Sequence, residues 1–99
     1  MIDFEMILPK GEENAIKSAD LAARLGFNST RQLQESVARA RAEGQMILSS
    51  GRGYYLPSND KEVQRFIKTM ENRAINTLAA IKNARRYLKI VPGQIELTS

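Results

Sequence analysis

The side chains of this chain that can do chemistry are mainly arginine, glutamine and glutamate within one short stretch. Arg31, Glu35 and Arg39 follow one another at intervals of four residues, which places them along one side of a helix. At this spacing they can form a ladder of weak ion pairs on a solvated surface. They can equally present hydrogen-bond donors and an acceptor to an outside partner. For each single residue the sequence leaves both interpretations open.

The chain lacks the side chains on which much catalysis and metal binding depends. It contains no cysteine and no histidine, which excludes disulfides, thiolate metal sites and pairs of a nucleophile with a histidine. No paired carboxylates at a recognisable spacing and no phosphate-binding loop are present. We therefore expect a protein that is not an enzyme and that uses neither a metal ion nor another cofactor.

The charge of the chain is unevenly distributed. Fifteen basic residues exceed eleven acidic ones, for a net charge of +4. Residues 1–14 contain four acidic residues and one lysine, so the excess of positive charge lies in the rest of the chain. A basic body favours a polyanionic partner, most often nucleic acid. No apolar run approaches the roughly 18 residues that cross a bilayer, and the first residues do not resemble a signal peptide. We expect no membrane partner and a cytoplasmic location.

The elements that must position these residues begin with a short helix. Ser18 is a suitable N-cap, and Leu21, Ala22 and Leu25 form one apolar face behind it. Gly26 follows directly, as a glycine commonly does at the end of a helix. Before this helix, residues 15–17 are predicted to pair as a brief strand.

A second helix is predicted at roughly 30–43. Ser29 and Gln32 have the spacing of a capping box, in which the serine is the N-cap and the glutamine is the third helical residue. The apolar residues of this helix recur at i, i+4 and i+7, and they are Leu33, Val37 and Ala40. Gly44 ends it. The opposite side then carries Arg31 and Glu35, together with the small residues Ala38 and Ala42.

A β-hairpin is predicted next, because two stretches of strand character flank residues 50–53, a serine, two glycines and an arginine. Arg52 lies at the tip of the predicted turn. Tyr54 is expected in the core and Tyr55 on the opposite, exposed face of its strand. Pro57 ends the second strand.

A third helix is predicted from about residue 60 to residue 90, a range without proline or glycine. Apolar and small residues recur there at alternating intervals of four and three, the spacing typical of a helix seam: Val63, Ile67, Met70, Ala74, Thr77, Ile81, Ala84 and Leu88. A rod of about 45 Å is expected to extend past a small domain. A homodimer through Val63, Ile67, Met70, Ala74, Ile81 and Leu88 is therefore predicted. The alternative is a helix that breaks near Asn72 or Asn83 and folds back on its own domain.

The order of these elements defines the predicted fold class, which is mostly α with a small β-hairpin (α+β). A helix, a turn, a second helix and a hairpin are the parts of a winged helix-turn-helix, here with a long C-terminal helix. We expect a winged helix-turn-helix at residues 1–57, the long helix at 58–90 and a tail at 91–99.

One part of the chain resembles a known family. The stretch SADLAARLGFNSTRQLQESVARARAEG, followed by ILSSGRGYYLP, is similar to the DNA-binding domain of biotin-repressor-type regulators. In that family the helix-turn-helix is also followed by a wing with a glycine, a basic residue, a glycine, a tyrosine, a leucine and a proline. The chain also resembles small winged-helix proteins of phages and mobile elements of Gram-positive bacteria. The similarity covers about residues 14–57, and the turn before Leu33 is one residue longer than in the biotin repressor.

The resemblance implies sequence-specific binding to double-stranded DNA, by a transcriptional regulator or a replication or recombination accessory factor. The residues expected to contact bases in the major groove are Arg31, Gln34, Glu35 and Arg39. Those expected to contact the DNA backbone are Asn28, Ser29, Thr30, Ser49, Ser50 and Arg52. The alternative is a protein-interaction adaptor, in which the winged helix and the long helix dock a partner protein.

Overall fold

The computed structural model describes residues 2–88, and it confirms the predicted mostly helical α+β class with a small hairpin and a long C-terminal helix. The elements are α1 (Ser18–Arg24), α2 (Thr30–Ala42), β1 (Leu48–Ser50), β2 (Gly53–Tyr55) and α3 (Asp60–Leu88), preceded by two short 3-10 turns at Phe4–Met6 and Glu12–Asn14. The chain divides into two compact units, Met1–Phe66 and Ile67–Ser99. The first unit therefore includes the beginning of α3.

Helix α1 has the predicted buried face but not the predicted cap. Leu21 and Ala22 are buried, as the periodicity indicates. Ser18 is already the first helical residue, whereas Lys17 occupies the N-cap position and makes no side-chain capping bond. The prediction of Ser18 as the cap is wrong because residues 15–17 run extended up to the helix, and this moves the boundary by one residue. Gly26 ends α1 with a φ of 76°, in the region that favours glycine.

Helix α2 begins with the predicted serine cap. The Ser29 hydroxyl accepts a hydrogen bond from the Gln32 backbone N–H at 3.2 Å. The Gln32 side-chain oxygen accepts from the Asn28 N–H at 2.8 Å, one residue earlier than in a standard capping box. The predicted stripe of Leu33, Val37 and Ala40 is fully buried. This stripe fixes which side of α2 faces away from the core.

The hairpin pairs β1 with β2 antiparallel, with Leu48 opposite Tyr55 and Ser50 opposite Gly53. Ile16 adds a bridge on the other side of β2, where it accepts from the Tyr54 N–H at 2.9 Å and donates to the Tyr54 carbonyl at 3.0 Å. Residues 15–17 therefore pair with the hairpin as predicted, but through a single-residue bridge at Ile16 and not through a strand. The segment before α1 is thereby held against the hairpin.

The core of the first unit brings the N-terminal segment together with both short helices and the hairpin; it includes Phe4, Leu8, Leu21, Ala22, Leu33, Val37, Ala40, Ile47 and Tyr54. Tyr54 is buried as predicted. Tyr55 is also buried, with 4% of its surface exposed, so the prediction of an exposed Tyr55 is wrong. Burial raises the pKa of its hydroxyl, and the nearby carboxylates of Glu12 and Glu62 raise that pKa further. Tyr55 would be exposed in an isolated hairpin, but in this fold its hydroxyl lies near carboxylates from two other segments of the chain.

Helix α3 starts at a capped and anchored turn. The Asn59 side-chain oxygen accepts from the Glu62 N–H at 2.9 Å. The Glu62 carboxylate, which is buried, accepts from the Glu12 N–H at 2.9 Å and from both the N–H and the hydroxyl of Ser58. The bond from the Glu12 backbone is the main cause of a lowered pKa of Glu62. An ion pair of 3.0 Å between Arg65 and Glu12 lies nearby.

Helix α3 continues without a break to Leu88, so the alternative of an interruption near Asn72 or Asn83 is wrong. The predicted last turn of the helix and the predicted tail at 91–99 lie outside the described residues. Across residues 2–88, no helix combines the length and the apolar character needed to cross a membrane.

Candidate nucleic-acid interface

The outer face of α2 carries the predicted major-groove residues, and all of them are exposed: Arg31, Gln34, Glu35 and Arg39. Ala38 and Ala42 are exposed on the same side. Since Leu33 and Val37 are buried, a step of 100° per residue places Arg31, Glu35, Ala38 and Ala42 opposite the core, with Gln34 and Arg39 at the edges of that side. We use "outer face of α2" for these six residues.

The ion-pair ladder that the spacing allows is not formed. In the part of the chain that the structure describes, Arg31, Glu35 and Arg39 make no ion pair with one another. Exposed pairs of this kind contribute little to stability, because solvent screens the charges and the long side chains lose rotamer freedom. The guanidinium groups of Arg31 and Arg39 thus remain available to an outside partner.

The start of α2 offers further polar groups. Asn28, Ser29 and Thr30 are exposed, although the Ser29 hydroxyl and the Asn28 N–H are already used in the cap. The first N–H groups of a helix have no intrahelical acceptor. The three residues border an open concavity of about 270 Å³ whose other lining residues are Ala19, Ala22, Ala23 and Phe27. A helix start of this kind can approach a phosphate oxygen.

The hairpin tip, residues 50–53, presents Arg52 to solvent. The Arg52 backbone N–H donates to the Ser50 hydroxyl at 3.1 Å, which fixes the turn locally. Gly53 has a φ of 128°, and an added Cβ there would collide with the Ile16 carbonyl. Gly51 has an ordinary φ and open space around it. The reversal therefore depends on Gly53 and not on Gly51.

Ser49, one of the predicted backbone contacts, is half-buried and has a partner within the chain. Its hydroxyl accepts from an Arg41 Nη at 3.2 Å, and Arg41 Nε also donates to the Ile47 carbonyl at 2.9 Å. The same guanidinium lies over the ring of Phe66. Arg41 therefore connects α2 to the hairpin. The sequence does not single out Arg41, because a position beside the buried stripe gives no indication of its partners.

Gln45 is a second residue whose structural role the sequence does not indicate. Its side-chain oxygen accepts from the Phe4 N–H at 2.8 Å, and its nitrogen donates to the Ile2 carbonyl at 3.0 Å. The amide thus fastens the N-terminal segment to the turn after α2, with Phe4 completely buried. A glutamine after a helix-ending glycine gives no sequence signal for such a contact.

The residues predicted to form a dimer differ in exposure. Val63 belongs to the first unit and is half-buried. The others belong to the second unit and are exposed: Ile67, Met70, Ala74, Ile81 and Leu88. These five therefore present an accessible apolar and small-residue surface along α3.

Comparison with known proteins gives no relative: no protein family, curated protein or solved structure matches the chain. The function has to be inferred from the chain's own residues. The geometry supplies an exposed polar helix face and a hairpin tip with an exposed arginine, both belonging to the first compact unit.

Proposed function

We propose that this chain binds double-stranded DNA in a sequence-specific manner, with the outer face of α2 in the major groove and Arg52 at the backbone or in the minor groove. The observation that carries the proposal is the composition of that face. In the described part of the chain, the long donors Arg31 and Arg39 make no ion pair with Glu35, and they stand beside the small residues Ala38 and Ala42, opposite a buried stripe.

The major groove of B-DNA admits one α-helix, and its base edges present distinct patterns of donors and acceptors. Arginine donates two hydrogen bonds to guanine, glutamine pairs with adenine, and glutamate accepts from the cytosine amino group. Arg31, Gln34 and Glu35 supply these three types on one face. Ala38 and Ala42 let the helix backbone approach the bases. Glu35 lowers affinity near phosphates unless it finds such a partner, so its presence favours selective binding.

The biological role is part of the same proposal. A transcriptional regulator, or a replication or recombination accessory factor, of a phage or mobile element fits the resemblance of residues 14–57 and the positive net charge. The proposal includes a cytoplasmic location, where such DNA is found, and no enzymatic activity or cofactor.

Selection of bound duplexes from a random pool tests the proposal directly. We expect enrichment of a defined motif, which then serves as the probe in fluorescence anisotropy. Arg31→Ala and Arg39→Ala should each weaken binding by about 1–3 kcal/mol, the usual contribution of a good base contact. Lys68→Ala is the matched control, because it also removes one exposed positive charge from a helix but lies outside the proposed interface. It should leave affinity nearly unchanged.

Two results would contradict the proposal: a selection that enriches no motif, or equal affinities for the control and both arginine variants. A protein-interaction adaptor is the second candidate, and the exposed apolar side chains of Ile67, Ile81 and Leu88 favour it. An adaptor would have no duplex affinity. DNA binding would instead weaken with salt, with a log–log slope near −0.9 per phosphate contacted.

A further inference from the structure

The second unit has an apolar row that the described chain leaves exposed. Large side chains of α3 beyond Phe66 are far more accessible than core residues, with exposed fractions of 50% for Ile67, 66% for Leu78, 41% for Ile81 and 65% for Leu88. Contiguous exposed apolar surface of this kind marks an interaction site. Ile67, Ile81 and Leu88 are positions of the 4-3-4-3 repeat, the spacing of a seam between two paired helices, and Leu78 lies at the edge of that seam.

The small residues of the row allow a close approach of two helices. Ala74 and Ala84 are seam positions, and Ala80 lies at the edge of the seam. Thr77 is the seam residue with a polar group, and its hydroxyl donates to the Arg73 carbonyl at 2.8 Å. Because that bond satisfies the hydroxyl within its own helix, Thr77 can be buried without leaving an unpaired donor.

We propose that the occupant of this row is α3 of a second copy of the chain, paired antiparallel about a two-fold axis near residue 79. In this register Met70 faces Leu88 of the second copy, Ala74 faces Ala84, and Thr77 faces Ile81. Each contact occurs twice, as a two-fold interface requires. The two alanines therefore face each other and two large side chains, Met70 and Leu88, face each other. Ile81 fills the space opposite the smaller Thr77.

Charge at the edges of the seam selects this direction. In the antiparallel register Glu71 lies beside Arg85 of the second copy, and this pair also occurs twice. In a parallel pair the same edge positions would bring Glu71 to Phe66, Arg73 to Leu78 and Ala80 to Arg85, so no opposite charges meet.

The remaining edge positions agree with the antiparallel pairing. Leu78 meets Leu78 of the second copy close to the two-fold axis. Arg73 comes beside Tyr87, a residue that is 86% exposed and whose ring can stack with a guanidinium. Neither residue has to place a charge in the apolar seam. The inference concerns α3 alone, so it does not depend on the proposal of DNA binding.

Cross-linking through single cysteines tests the direction, because the chain has no cysteine of its own. Treated with a short bis-maleimide, Leu78→Cys should cross-link the dimer efficiently. Ala79→Cys, its neighbour on the outward side of the helix, is the matched control and should not. Met70→Cys should not cross-link either, since the two copies of residue 70 would lie about 27 Å apart along the axis. Cross-linking of Met70→Cys without Leu78→Cys would indicate a parallel pair and overturn the proposal.

A charge swap gives an independent test by sedimentation equilibrium. The unmodified protein should have twice the chain mass of 11.1 kDa. Glu71→Arg and Arg85→Glu should each raise the dimer dissociation constant by about threefold to tenfold, since each places like charges together twice. The double variant should recover most of the loss. Glu71 is exposed and Arg85 is half-buried on a continuous helix, and circular dichroism checks that the variants fold. A monomer at tens of micromolar, or a complex formed only with a different protein, would overturn the proposal.

Discussion

The guanidinium of Arg41 lies over the ring of Phe66, with its Cζ 5.0 Å from the ring centroid. The same side chain donates to the Ile47 carbonyl and the Ser49 hydroxyl. One residue near the end of α2 is thereby bound to the start of the hairpin and to the first part of α3. Arg41 therefore has a structural role, in contrast to the exposed Arg31, Arg39 and Arg52.

Arg41→Ala should lower the free energy of unfolding by about 2 kcal/mol, because two hydrogen bonds and a cation–π contact are lost together. Urea denaturation followed by circular dichroism measures this. Arg39→Ala is the control, since Arg39 is exposed on the outer face of α2, and it should change stability by no more than about 0.5 kcal/mol. Equal effects of the two variants would show that Arg41 does not stabilise the hairpin.

Gly53→Ala should destabilise the protein by about 1–3 kcal/mol, because the backbone there has a positive φ and the new Cβ would meet the Ile16 carbonyl. Gly51→Ala, two residues away, meets nothing within 4 Å and should be neutral or slightly stabilising. Thermal unfolding of the two variants provides the comparison. A neutral Gly53→Ala would mean that β2 does not approach Ile16 so closely.

The lowered pKa of Glu62 predicts a pH dependence of stability. Backbone N–H groups favour the ionised carboxylate in the folded protein. The contribution of Glu62 is therefore complete above the ordinary carboxyl pKa of 4.5 and decreases as the pH falls through the lower, folded-state pKa. Glu62→Gln should destabilise the protein at pH 7, and its difference from the unmodified protein should shrink in acid.

Denaturation midpoints measured between pH 3 and pH 7 (a range about the carboxyl pKa) test this dependence. Glu43→Gln is the control for Glu62→Gln, because Glu43 is an exposed glutamate at the end of α2. Its substitution should have little effect at any of these pH values. A difference between Glu62→Gln and the unmodified protein that stays constant with pH would contradict the role assigned to the ionised carboxylate.

Arg52→Ala should reduce the salt dependence of DNA binding. If the Arg52 guanidinium neutralises one phosphate, its removal should lower the slope of log K against log salt by about 0.9. The loss of affinity should then be similar for selected and unrelated duplexes, since phosphate contacts carry no direct sequence information. A change of sequence preference without a change of slope would place Arg52 at base edges instead.

Much of the fold follows from local signals in the sequence. The Ser29 cap, the glycine after α1 and the buried stripe of Leu33 and Val37 all depend on residues within a few positions of one another. Local rules succeed here because the apolar spacing that predicts each helix also identifies the side of the helix that is buried. The hydrogen bond between Gln32 and Asn28 shows the limit of such rules. The spacing of the capping box is correct, but the Gln32 side-chain oxygen accepts from the N–H of Asn28 and not from that of the N-cap Ser29.

The contacts that the sequence did not predict connect distant segments. Strand alternation predicts an exposed Tyr55, yet its side chain is buried and the Glu12 and Glu62 carboxylates lie near its hydroxyl. Gln45 bonds to residues more than forty positions earlier. Arg41 and Glu62 look like surface residues until their partners are known. A single sequence does not show which distant groups come together. When another segment covers the outer face of a strand, residues on both of its faces are buried, and alternation no longer predicts exposure.

The hydrogen bonds of Glu62 place the boundary of the first unit inside α3 rather than before it. Within residues 2–88, every buried residue lies at or before Glu62. Insertions or deletions after Phe66 would then remove no core contact, even though they alter the same helix. Changes in the length of α3 after Phe66 would alter the partner of this helix without altering the core of the first unit. Assembly and folding can therefore evolve separately.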